Sequence, residues 1–189
     1  MGYLIKPVIK LYPVRGNVQA EDYQEAYQAG VVEHEERNAL VCRLAADAVG
    51  EGLSTLVVAS RLDHVEALRE GLEDQGLSIA VIVGSTSSEE RREAVESYSN
   101  NEVQVLLGTV FGEGVDIPTI ECVINAEGGQ SKKATMQRFR NLTPADGKDT
   151  ALFIDFLDLH SSWLAKHSRT RMETYRSNPE FDVQVGGEE

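Results

Sequence analysis

Five short runs of apolar, largely β-branched residues recur at 55–60, 79–84, 103–109, 121–126 and 150–156, and each is bounded by turn residues. A run that is apolar at nearly every position suits a strand covered on both faces, as in a parallel sheet; a strand with one wet face would alternate. The stretches between them carry helical stripes. Leu40, Leu44, Ala45 and Ala48 share one side of 33–49, and Val65, Leu68 and Leu72 share one side of 64–73, which closes at Gly76. Residues 87–98 open with an N-cap serine and early acids. Strand and helix alternate from 33 to 156, which predicts an α/β domain: an open, mostly parallel sheet with helices on both sides.

The ends of the chain read differently. Residues 3–14 form a further strand or an extended arm, and Pro7 and Pro13 point to a sheet edge. Residues 15–30 are polar, a loop or short helix. A closing helix runs from Ser161 to Arg176 and is stopped by Asn178 and Pro179, with a frayed end at 185–189. This gives an N-terminal arm over 1–30, one domain over 31–176 and a flexible acidic tail over 177–189. A chain of 189 residues has room for one core. It has no apolar run of about 18 residues and no signal peptide, so a soluble cytoplasmic protein without membrane contact is expected. Cys42 and Cys122 have no CxxC neighbours and read as reduced, buried small hydrophobes. His34, His64, His160 and His167 lack metal-ligand spacing, so no metal is expected. His160 and His167 could share a face of the closing helix, while Trp163 and Tyr175 read as anchors of that helix on the sheet.

The net charge of −13 repels nucleic acid at long range. It is unevenly distributed: 129–176 holds 9 basic and 5 acidic groups, so any polyanion contact should favour the segment after Gly129. Lys166, Arg169, Arg171 and Arg176 read equally well as the solvated side of the closing helix.

In a doubly wound sheet ligands bind beyond the carboxyl ends of the strands, which directs attention to the loops after 60, 84, 109, 126 and 156. The loop 109–118 places Gly112 and Gly114 where backbone can approach a ligand, then a lone carboxylate, Asp116, and Pro118. A carboxylate in such a turn suits ribose hydroxyls, being an acceptor only, although glycine–aspartate turns are common. Residues 128–140 run from a glycine pair into a helix presenting Gln137, Arg138 and Arg140. Those cations suit phosphate, and the same spacing describes a basic amphipathic helix end.

Taken in order, the strand ending at Ser60 and Arg61, the 82–86 turn, the 106–118 segment, 136–144, the 147–156 strand and 167–175 resemble the second RecA-like domain of superfamily 2 DNA helicases, in particular the phage and bacterial recombination-repair branch. The resemblance covers 30–176 and implies a three-layer α/β/α fold. It implies that Thr109 faces a nucleic-acid backbone, that Ser60, Arg61, Gly84 and Ser85 line the strand-tracking groove, and that Gly112, Gly114 and Asp116 lie at ATP. In the family, arginines of a final Gln-x-x-Gly-Arg-x-x-Arg motif reach the nucleotide phosphates, which assigns Gln137 and Arg140 to catalysis. Lys132, Lys133 and Arg138 are the expected further contacts to DNA.

Two departures shape the functional expectation. No GxxxxGK[ST] segment occurs in these 189 residues, since the GlyLys at 147–148 has Leu142 and Asp149 where the motif needs glycine and a hydroxyl. No DExH-type box occurs either, so ATP and magnesium must be held by a first, P-loop lobe, in cis or in trans, and this chain alone should not hydrolyse ATP. The final motif is also altered. Read without a gap from Gln137, Arg140 falls on the glycine, with Asn141 and Pro144 on the arginines; with one deletion, Arg140 falls on the first arginine and Thr143 on the second. Either way the terminal arginine finger is absent, a loss worth about three to five orders of magnitude in turnover, with Arg138 and Lys148 the nearby substitutes. Two functions fit: the second lobe of a helicase or translocase, or a non-catalytic adaptor or inhibitor that binds another helicase or DNA.

Overall fold

The computed structural model describes residues 6–109, 119–131, 142 and 151–187. In chain order they form β1 (Val8–Val14), α1 (Tyr23–Tyr27) running into one π-helical turn (Gln28–Val32), α2 (Glu35–Gly50), β2 (Thr55–Val58), α3 (Leu62–Asp74), β3 (Ile79–Ile82), α4 (Ser88–Ser99), β4 (Val105–Gly108), β5 (Cys122–Asn125), β6 (Leu152–Asp158), α5 (Ser162–Arg176) and β7 (Asp182–Val185). The seven strands lie in the order β3-β4-β2-β5-β6-β1-β7, and every pairing is parallel. All carboxyl ends therefore open on one edge of the sheet. No helix among the described residues is long and apolar enough to cross a membrane.

The strand alternation divides the core in two. Val57, Leu107, Ile124 and Phe156 face α2 and α3 (Val41, Leu44, Ala45, Leu68, Leu72), while Leu56, Val58, Leu106, Val123 and Phe153 face α4 and α5 (Tyr98, Tyr175). This is the three-layer α/β/α arrangement that the alternation of elements predicts. β2, β4 and β5 are buried at all four positions, as continuous apolar runs between two helical layers require. Ser87 caps α4 as expected and forms a capping box with Glu90. Cys42 and Cys122 are free and buried, and burial pushes their thiols up to about 11 and about 12.

The ends of the chain differ from the sequence reading. β1 is no edge strand, since it lies between β6 and β7. Its prolines are tolerated by register: Pro7 and Leu11 accept on the β7 side from Asp182 N and Gly186 N, so Pro13 faces that same side. It lies two residues beyond Leu11, which pairs with the last β7 residue, Val185, and its missing N–H costs no ladder bond. Residues 182–185, expected within a flexible tail, form the edge strand. Within the first 30 residues, the further strand and the short helix, each one of the two readings of its stretch, are the ones that form, as β1 and α1.

Two further expectations fail around α5. Tyr175 is fully buried against Phe153 and anchors the helix, but Trp163 is 41% exposed and is not among the buried core side chains. His160 does not share a helix face with His167; it sits in the turn before α5, where its Nε2 donates to Gly30 O at 2.7 Å.

Candidate nucleotide and nucleic-acid interface

Sheet order gathers several of the candidate residues. β3, β4, β2 and β5 are consecutive neighbours, so Gly84–Ser85, Thr109, Ser60–Arg61 and the loop after Asn125 stand side by side along the carboxyl edge. Gly84 and Ser85 form an exposed turn held by a residue that the sequence reading did not select. Arg91 of α4 donates from Nε to Thr86 O at 3.0 Å and from Nη2 to Val83 O at 3.2 Å. Thr109 donates its amide to Ile82 O at 3.1 Å, which ties the β4 exit to β3. Gly108, just before it, has no room for a side chain: a Cβ there would lie 1.7 Å from Ile82 O.

Ser60 is exposed and its Oγ lies 2.7 Å from the Tyr27 hydroxyl. Arg61 stands beside it with its guanidinium carbon over the Tyr27 ring, 5.2 Å from the centroid. Its Nη1 donates to Gln28 Oε1 and its Nη2 to Gln24 Oε1 at 3.2 Å. An approaching phosphate would have to draw this side chain away from two glutamines. Gly112, Gly114, Asp116, Lys132, Lys133, Gln137, Arg138 and Arg140 lie outside the described residues.

Between these elements lies a cavity of about 290 Å³, lined in part by Tyr23, Tyr27, Ser60, Arg61, Asn125 and Glu127. Arg171 also lines it and belongs to a buried charged network. Alternation along β6 turns Asp158 toward the α2 layer and Asp155 toward α5, and each meets an arginine from the helix covering that face. Arg37 Nε donates to Asp158 Oδ1 at 2.7 Å, and Arg171 Nε donates to Asp155 Oδ2 at 2.8 Å. Tyr175 donates its hydroxyl to Asp155, and burial raises its pKa well above the ordinary value. Arg171, read from sequence as part of a solvated face, is thus buried; Lys166, Arg169 and Arg176 are exposed as expected.

Both arginines also grip the loop leaving β5. Arg37 Nη1 donates to Ala126 O at 2.9 Å, Tyr27 Oη to Glu127 O at 2.5 Å, and Arg171 Nη1 to Gly129 O at 2.6 Å. Gly128, within this grip, has φ +73°, and a Cβ there would lie 3.2 Å from Val31 Cγ2. Gly128→Ala should therefore cost about 1–2 kcal/mol in urea denaturation, because left-handed backbone disfavours an L side chain. Gly129→Ala, which meets open space, should stay within about 0.5 kcal/mol. Equal losses for the two would show that the turn is not held as described. Sequence offered one signal for this network, the acids Asp155 and Asp158 in an otherwise apolar run, and none for Tyr27 or Arg37.

The conserved pattern described as the helicase conserved C-terminal domain matches residues 9–140, a span that includes the Ser60–Arg61, Gly84–Ser85 and Thr109 strand ends. The chain belongs to the helicase C-terminal domain family. Among curated proteins this helicase domain is 27% identical over 146 residues to the putative ATP-dependent helicase IRC3 of Saccharomyces cerevisiae, covering 75% of the chain and 21% of that protein. It is 31% identical over 129 residues to the pre-mRNA-splicing ATP-dependent RNA helicase PRP28 of Debaryomyces hansenii, covering 59% and 22%. The domain thus spans about a fifth of each. Its fold is shared by T4 UvsW, with TM-score 0.71 at 17% identity, over 95% of this chain and 40% of that one.

Proposed function

We propose that this domain is the second lobe of a superfamily 2 helicase, which grips one nucleic-acid strand by its backbone and closes on ATP held by a first lobe. The observation that carries this reading is the row of strand ends, β3, β4, β2 and β5, which brings Gly84, Ser85, Thr109, Ser60 and Arg61 to one edge. Gly112, Gly114 and Asp116 follow Thr109 in sequence and are assigned to the nucleotide, and Gln137 and Arg140 to its phosphates. ATP supplies the step along the strand; these residues bind and orient, and the P-loop and magnesium carboxylate come from the partner lobe. Backbone contacts do not tell RNA from DNA, and the RNA helicase names among the relatives favour RNA as the strand.

The test is a titration of labelled oligo-uridine and oligo-thymidine between 50 and 200 mM salt. Binding should weaken steeply with salt, and reversing Lys132, Lys133 and Arg138 to glutamate should lower affinity about tenfold or more and flatten the salt slope by about 2. An unchanged slope would move the contact elsewhere. The chain alone should show no ATP turnover. Adding a P-loop lobe should restore it, with loss on Asp116→Ala, whereas plain inhibition of the added lobe would favour the adaptor reading that the overall acidity supports.

A further inference from the structure

We infer that Tyr27 is a positioning residue whose hydroxyl links the strand-gripping side of this edge to the loop that leads toward the nucleotide side; the inference rests on the functional reading above. The phenol has one proton. Glu127 O can only accept, so at 2.5 Å it takes that proton, and the Ser60 hydroxyl must then donate to Tyr27 Oη across 2.7 Å. Hydrogen bonding thus runs in one direction, from Ser60 through Tyr27 to Glu127 O. The Tyr27 ring is fixed apart from its hydroxyl, being 6% exposed and packed with Ala26, Val31, Val32 and Leu164.

Ser60, by contrast, is exposed, and its only proton is already committed. A phosphate oxygen is an acceptor, so a phosphate bound at Ser60 must take the hydroxyl proton away from Tyr27. Tyr27 Oη then loses its incoming donor, and its bond to Glu127 O loses the polarisation that a chain of hydrogen bonds provides. Glu127 precedes Gly128, whose left-handed turn is held between Arg37 and Arg171, and this loop continues into the segment bearing Gln137 and Arg140. Occupancy of the strand groove is therefore reported, by one proton, to the Glu127 carbonyl and the turn at Gly128, which precede in sequence the segment assigned to the phosphates of ATP.

The relay is tested on the full 189-residue chain by NMR, following the Glu127 carbonyl carbon and the Gly128 amide nitrogen. Ser60→Ala should displace both signals, and Ser60→Thr, which keeps a hydroxyl, should leave them near their wild-type positions. In a Tyr27→Phe background, which keeps the ring, the displacement caused by Ser60→Ala should be smaller by at least about fivefold, the non-additivity expected of groups in one network. The same displacement in both backgrounds would overturn the inference, as would no displacement in either. Should Tyr27→Phe fail to fold, equal displacement by Ser60→Ala and Ser60→Thr would overturn it. In a second arm, oligo-uridine is added: it should displace the two signals in the wild type but not in Tyr27→Phe. RNA that fails to bind would defeat the functional reading and leave the serine comparison to decide the relay.

Discussion

Arg171→Leu should destabilise the domain by about 3–5 kcal/mol, read as a fall in the urea midpoint at pH 7.5 with little change in slope. The guanidinium is 2% exposed and makes four short bonds, to both oxygens of Asp155, to Phe156 O at 2.9 Å and to Gly129 O at 2.6 Å. Burial works against its charge, but Asp155, Tyr175 and Asp158 outweigh burial and hold its pKa above the ordinary value. Among the described residues, leucine would leave Asp155, itself fully buried, hydrogen-bonded to the Tyr175 hydroxyl and the Phe156 amide alone. An uncompensated interior carboxylate accounts for most of the loss. The net worth of an intact buried pair is small, because desolvation of the two ions offsets their attraction. The double variant Arg171→Leu, Asp155→Leu should accordingly recover much of the deficit. A single variant that loses less than about 1 kcal/mol would mean that water reaches this pair.

What was legible in the sequence follows from what each element had to satisfy by itself. β2, β4 and β5 could be read because a strand covered on both faces has to be apolar throughout, and α4 because its capping box is local. β7 could not. Four residues, Asp182–Val185, with two exposed side chains carry no such demand, and they form a strand only because β1 offers them a free edge. Pro13 misled for the same reason: whether a missing N–H matters depends on where β7 ends, a fact set at Val185 near the other end of the sequence. At the candidate site, Ser60, Arg61, Gly84, Ser85 and Thr109 were selected through the order of motifs, and sheet order places them along one edge. Tyr27, Arg37 and Arg171 were not. An isolated arginine or tyrosine on a helix looks the same whether it meets water or a buried carboxylate, and only the packing of β6 between two helical layers decides which.

His64 carries the second large expectation, a loss of about 2 kcal/mol of stability between pH 7.5 and pH 5. The ring, on α3, is fully buried, and its Nε2 lies 2.9 Å from Asn38 Oδ1. Asn38 donates its own amide to Val32 O, so Oδ1 is left to accept and the imidazole proton sits on Nε2. Nδ1 has no hydrogen-bond partner among the described residues. A second proton there would have no acceptor, and burial first, then the nearby Arg37 charge, hold the pKa down to about 3. The sign follows from proton uptake. Between roughly pH 3 and 6.5 the unfolded chain protonates this histidine and the folded chain does not, so acid favours unfolding across that window and the cost levels off below it. His34 and His167 are also lowered, chiefly by burial, and push the same way, but they are partly exposed and contribute less. Urea denaturation across the pH range should therefore show the slope, and His64→Gln should flatten most of it while leaving a polar group to face Asn38. An NMR titration that finds His64 protonating near 6.5 would place the ring in water, and α3 could not then pack on α2 as it does here.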